Sequence, residues 1–327
     1  CILSEQGKLT KTIINSEKGA RKIMNKNGEM WFDDQGNAIQ AHGGMILEYQ
    51  GIWYWYGENK GADNCPGTSR VDVIGVSCYS SKNLHDWHYE GLALDVRKNQ
   101  LKGSLFRPEN VCERPKVIYN KKTGKFVMWY HLDTPDYGYA GVGIAVADKP
   151  IGPFSMIKEM RPNRQDCRDM TLFIDQDQTA YLLHSSNWNK TLDISRLTED
   201  YQDVDGFYVS VMIDQEREAP AIIKEQDMYY MVTSGCTGWN YNSALYATSP
   251  YLLGKWKLID NPCEGNGYRE TFKGQSTYLF RVGEQIYLML DHWKPRNLQD
   301  SGYSILPVTI ENGKMTVHWT EYFQIQN

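Results

Sequence analysis

Apolar residues along this chain come in short paired runs separated by polar turns. Met45-Ile46-Leu47 is followed by Trp53 to Tyr56, and Val117-Ile118-Tyr119 by Phe126 to Tyr130. Leu172-Phe173-Ile174 precedes Ala180 to Leu183, and Ala221-Ile222-Ile223 precedes Met228 to Val232. The fifth pair is Tyr278-Leu279-Phe280 with Ile286 to Leu290. The turns between them carry Gly, Asp or Gln, so each pair reads as a β-hairpin. Further strand candidates lie between the hairpins, at 75–81, 141–147, 190–197 and 242–249. No stretch of helical length has a competing amphipathic period.

The hairpins are in phase. Three or four residues before each first run stands a polar residue: His42, Glu113, Asp169, Glu218 and Gln275. Their numbers differ by 71, 56, 49 and 57, which leaves room for about four strands per unit. Five such units predict an all-β fold, a five-bladed β-propeller. Two β-sandwich domains would not explain five hairpins in phase. The propeller accounts for 1–327 as a single catalytic domain with an N-terminal extension of about 25 residues, and the run 314–325 is expected to help close the ring.

Phase also gives chemistry a place. The first strand of a blade lines the central channel, so the five polar residues gather at one mouth of it. Three carboxylates, an imidazole and an amide then share one cavity. Close carboxylates repel, which raises at least one pKa. A protonated glutamate beside ionised partners is what a general acid requires.

Composition narrows the ligand. The 327 residues include 35 Lys and Arg against 40 Asp and Glu, a formal charge of -5, which offers no basic surface for nucleic acid. With 22 Tyr and 10 Trp, the chain has rings to spare for flooring a sugar, although strands also favour Tyr. No apolar run reaches the 18 residues of a membrane helix. The first residue is Cys1, which fits cleavage of a lipoprotein signal or a cut at a domain edge. The lipoprotein reading implies export to the periplasm or cell surface and an N-terminal lipid anchor. The other cysteines, at 65, 78, 112, 167, 236 and 263, form no C-x-x-C pair; export would permit disulfides, whose pairing sequence leaves open.

The stretches RDMTLFIDQDQTAYLL and EAPAII resemble glycoside hydrolase family 43, whose members are five-bladed propellers. That resemblance implies Glu218 as general acid and Asp169 as the residue that tunes its pKa. The family's first-blade aspartate is replaced by His42 in IQAHGG. The stretches IQAHGGMILEYQGIWYWYGENK and NVCERPKVIYNKKTGKFVMWYH are similar to the exo-β-1,3-galactanase branch. There the resemblance implies sugar contacts from Glu58, Tyr137 and Asp169, a galactose-site role for Glu113, and Gln275, as amide or imidic acid tautomer, in place of the missing base. The segment TGW, with Thr237 and Trp239, is similar to one near the same site.

The expected reaction is exo-hydrolysis of β-1,3-linked galactan, the arabinogalactan backbone, with inversion. Glu218 protonates the leaving oxygen, and Gln275 or Glu113 holds the water. An inverting pair stands roughly 6.5–9.5 Å apart. The alternatives are an α-L-arabinofuranosidase, a β-xylosidase, a differently linked galactosidase, or a galactan-binding propeller without activity. No cofactor is required. The resemblance leaves room for a structural calcium in the channel near His42 and Asp291 or His292. A monomer is expected.

Overall fold

The computed structural model describes residues 25–99 and 101–325. Cys1 and the first 24 residues of the expected extension lie outside the described residues. Five antiparallel sheets form the ring. The first blade comprises β1 (His42–Tyr49), β2 (Ile52–Glu58), β3 (Gly75–Ser81) and β4 (His88–Asp95). The second has β5 (Val111–Asn120), β6 (Lys125–Asp133), β7 (Gly141–Ala147) and β8 (Ser155–Met160). The third has β9 (Met170–Ile174), β10 (Ala180–Ser186), β11 (Thr191–Leu197) and β12 (Val204–Val211). The fourth has β13 (Arg217–Glu225), β14 (Met228–Gly235), β15 (Leu245–Ser249) and β16 (Lys257–Leu258). The fifth runs from β18 (Gln275–Val282) through β19 (Gln285–His292) and β20 (Gly302–Glu311) to β21 (Lys314–His318); β17 (Cys263–Glu264) pairs in parallel with β21 at its outer edge.

The inner strands β1, β5, β9, β13 and β18 contact one another in sequence, and β18 returns to β1. Side chains alternate across each strand, so one sheet serves two interfaces. Val117 packs with Met45 and Tyr56 of the first blade, while its neighbour Ile118 packs with Leu172 and Leu182 of the third. Each of the five apolar clusters fills one such interface.

The ring closes where the two chain ends meet. The Asn27 amide donates to the Glu321 carbonyl at 2.9 Å, and the Phe323 amide to the Asn25 carbonyl at 2.9 Å. Trp31, Ile39 and Phe323 then pack with Trp55 and Tyr287 between the first and fifth blades. The run 314–325 therefore contributes the outer strand β21 and part of this closure.

Four inner strands carry a β-bulge near their start. The register shifts between His42 and Met45, Glu113 and Lys116, Glu218 and Ala221, and Ser276 and Tyr278. In three of them the residue after the polar one is left-handed: Gly43 (φ 56°), Arg114 (φ 54°) and Ala219 (φ 53°). A bulge bends the strand and re-aims the side chain beside it. Pro115 and Pro220 follow directly, where the ladder is already broken and a missing N–H costs little. Gly43 and Gly44 are needed for space as well: a Cβ on Gly44 would lie 1.7 Å from the Tyr56 carbonyl oxygen.

Candidate active site

The five phased residues open the inner strands at one end of the ring. Their cross-strand partners form a second ring of polar groups: His42 faces Glu58, Glu113 faces His131, Glu218 faces Ser234, and Gln275 faces Asp291. In the third blade the Ser185 amide donates to the Asp169 carbonyl at 2.9 Å.

Glu218 is the carboxyl that holds its proton. Burial and the nearby Asp169 raise its pKa to about 8, with Arg114 pulling the other way. Its Oε1 accepts from Gln275 Nε2 at 3.2 Å, and its Oε2 from Asn189 Nδ2 at 3.4 Å. A carboxylic acid that stays neutral at pH 7 can deliver a proton to a leaving oxygen.

Arg114 ties the acid to its neighbours. Its guanidinium donates to Gln275 Oε1 at 2.6 Å and to the Ser276 carbonyl at 3.1 Å, and pairs with Asp169 Oδ2 at 2.9 Å. Its amide donates to Glu58 Oε1 at 3.3 Å. Burial works against this charge, but Asp169, Asp291, Glu58 and Glu218 outweigh it and raise the pKa.

Glu113 has the opposite environment to Glu218. Burial alone would raise its pKa. His131 Nδ1 at 3.5 Å, Lys60 Nζ at 3.8 Å and a hydrogen bond from the Tyr137 hydroxyl at 2.9 Å outweigh burial and bring it to about 2. His131 keeps its charge because Asp133 and Glu113 flank it; against burial, they push it up to about 9. Lys60 also pairs with Glu58 Oε2 at 2.7 Å. Burial, partly offset by Lys60 and reinforced by Glu113, raises Glu58 to about 7. Two carboxyls of the ring are thus pushed far apart in pKa, which separates an acid from an anion.

Gln275 does not stand at inverting distance from Glu218. The two touch, whereas an inverting pair is roughly 6.5–9.5 Å apart. Glu113 has no direct bond to Glu218 and faces it only through charge.

The remaining sequence candidates fall into two groups. Tyr137 binds Glu113, as above, and Trp239 lines a cavity with Lys60, Glu113 and Tyr137. The Trp239 ring meets Trp293 edge to face at 5.1 Å, with Lys60 Nζ 5.7 Å from its centroid. Thr237 instead spends its hydroxyl inside its own turn, donating to the Asn240 carbonyl at 2.6 Å. His42 was expected to touch sugar, but it is fully buried beneath the site. Its ring stacks on Tyr303 at 4.7 Å and pairs with Asp291 at 3.3 Å, so it braces the floor.

The residues expected near a channel calcium are engaged with their neighbours, His42 with Asp291 at 3.3 Å among them. Lys116 is fully buried, its Nζ donates to the Gly43 carbonyl at 2.7 Å, and burial pulls its pKa down to about 7. His292 Nε2 is engaged with Ser304 Oγ at 2.7 Å. Among the described residues no group of three or more His, Cys, Asp or Glu is arranged to hold a metal. The six described cysteines are all free.

Arg114, Lys60, His131, Asn189 and Trp293 were not singled out from sequence. A signal for some was present. Each second strand ends in polar residues in phase with the first, as in YGENK, WYHLD and LDHW, and that outer ring supplies Glu58, His131 and Asp291.

Comparison with known proteins finds solved structures of the same fold. No curated protein matches the chain. A solved β-1,3-galactosidase of family 43, bound to galactodeoxynojirimycin, is 37% identical with a TM-score of 0.86, over 92% of this chain and 100% of its own. An exo-β-1,3-galactanase from Phanerochaete chrysosporium, bound to β-1,3-galactotriose, is 33% identical with a TM-score of 0.83, over 92% of this chain and 68% of its own. The exo-β-1,3-galactanase of Clostridium thermocellum is 32% identical with a TM-score of 0.78, over 89% of this chain and 64% of its own. The profile described as Glycosyl hydrolases family 43 matches residues 61–263. With the propeller, the paired carboxyls of split pKa and these matches together, the chain belongs to glycoside hydrolase family 43.

Proposed function

We propose that this glycoside hydrolase removes galactose from the chain end of β-1,3-linked galactan, such as the arabinogalactan backbone, with inversion at C1. The observation that carries the reading is the split pair in one site, a neutral Glu218 opposite an ionised Glu113. The linkage and the exo mode are supported by the relatives, which are named β-1,3-galactosidase and exo-β-1,3-galactanase.

Glu218 protonates the glycosidic oxygen. Asp169 keeps that proton in place by charge and is itself held by Arg114. Water attacks from the opposite face. Glu113 is the better holder of that water, because it is anionic and does not touch the acid. Its low basicity is tolerable, since attack on an oxocarbenium-like centre makes the water itself strongly acidic. Gln275 orients Glu218 from the near side.

Proton NMR of the first minutes of β-1,3-galactan digestion tests the whole reading. The expected product is α-galactose that mutarotates later. Initial β-galactose would sink inversion. Release of arabinose or xylose instead, from a panel of nitrophenyl glycosides, would move the enzyme to another activity of its family.

A further inference from the structure

The turn between β10 and β11 presents an exposed indole beside the acid. Asn187, Trp188 and Asn189 are all left-handed, with φ of 48°, 56° and 62°. Three consecutive residues in this strained region persist only where the surroundings hold them. Here Asp166 does so: its Oδ2 accepts from the Trp188 amide at 2.9 Å and from Arg168 at 2.8 Å. The Arg168 guanidinium lies 4.6 Å from the centroid of the Trp188 ring and also donates to the Tyr137 carbonyl at 3.2 Å. The turn is therefore fastened to the loop that carries Tyr137, and through it to Glu113.

The indole so held is 70% exposed, a large apolar surface with no apolar cover. Its neighbour Asn189 reaches Glu218 Oε2 at 3.4 Å. Glu218 is thus held by Gln275 at Oε1 and by Asn189 at Oε2, so the turn lies directly against the acid. A rigid, exposed ring thus sits beside the acid, where the departing sugar must lie.

We infer that Trp188 is the platform for the leaving-group sugar, a pyranose stacked on the indole. This rests on the glycosidase reading above and adds the subsite that follows the cleaved bond. Arg168 is a positioning residue that keeps the ring presented.

The test compares two substrates, β-1,3-galactobiose, which has a leaving-group sugar, and β-galactosyl fluoride, which has none. For Trp188→Ala, the ratio of kcat/KM for galactobiose to that for the fluoride is expected to fall about tenfold or more, chiefly through KM, the scale of one lost ring contact. Trp188→Phe should recover most of the ratio. A ratio within about twofold of wild type would overturn the subsite while leaving the glycosidase reading intact. An equal loss on both substrates would also overturn it, because Trp188 would then be bracing the acid. Wild-type enzyme that splits neither substrate would remove the glycosidase reading, and the subsite with it.

Discussion

Replacing Glu218 with Gln should abolish hydrolysis and, at alkaline pH, stabilise the protein. The folded carboxyl titrates at about 8, and an unfolded glutamate at about 4.3. Between these values the folded state holds a proton that the unfolded state has released. Stability therefore falls as pH rises through this window and levels off once Glu218 ionises. Each unit is worth about 1.4 kcal/mol, and the span from pH 5.5 to 8 gives about 3 kcal/mol. A glutamine mimics the protonated acid and carries no such penalty. Other titrating groups, including His131, behave alike in both proteins and cancel in the difference. Urea unfolding of wild type and E218Q at pH 5.5 and pH 8.5 reads the effect. The lead of the variant over wild type should widen by about 3 kcal/mol between pH 5.5 and pH 8.5. Parallel pH dependences would refute the claim that Glu218 is held neutral.

Three other outcomes test the surrounding network. Wild-type kcat/KM should drop about tenfold per unit above pH 8, as the acid loses its proton; a flat profile to pH 9.5 would exclude Glu218 as the acid. Arg114→Met leaves Asp169 without its cation and Gln275 with one donor fewer, so a loss of about 3–5 kcal/mol in urea unfolding is expected. Gly43→Ala would place a Cβ 2.3 Å from Glu58 Oε1 at a left-handed position; the backbone alone costs roughly 1–2 kcal/mol, and galactobiose turnover should fall with it.

The ring was legible because a propeller repeats. Hairpin phase located the start of every inner strand, and the runs 75–81 and 141–147 match β3 and β7 residue for residue. The bulges were not legible, since Arg114 and Ala219 give no sign of a left-handed backbone that sequence usually reserves for glycine. His42 misled for a related reason. Phase places a residue at the mouth of the channel, but the direction of its side chain depends on the bulge beside it. Trp188 escaped notice because an isolated aromatic in a turn has no period to betray it.

Gln275 is best understood through what it accepts. Its Oε1 faces Arg114 at 2.6 Å and the Trp293 indole N–H at 2.9 Å, and neither of these can accept a hydrogen bond. The atom between them must be a bare oxygen, so the amide has one orientation. An imidic acid tautomer would put a proton on that oxygen, against two donors, one of them cationic. Its Nε2 is meanwhile committed to Ser234 Oγ at 3.0 Å and to Glu218. In the proposed mechanism Glu218 becomes a carboxylate as the leaving group departs, and the bond from Nε2 then becomes charge-assisted and roughly twice as strong. Stabilisation that grows with the reaction lowers the barrier, which ground-state binding does not. A carboxylate at position 275 would oppose that developing charge. The amide assists it, which accounts for a glutamine in a ring otherwise rich in acids.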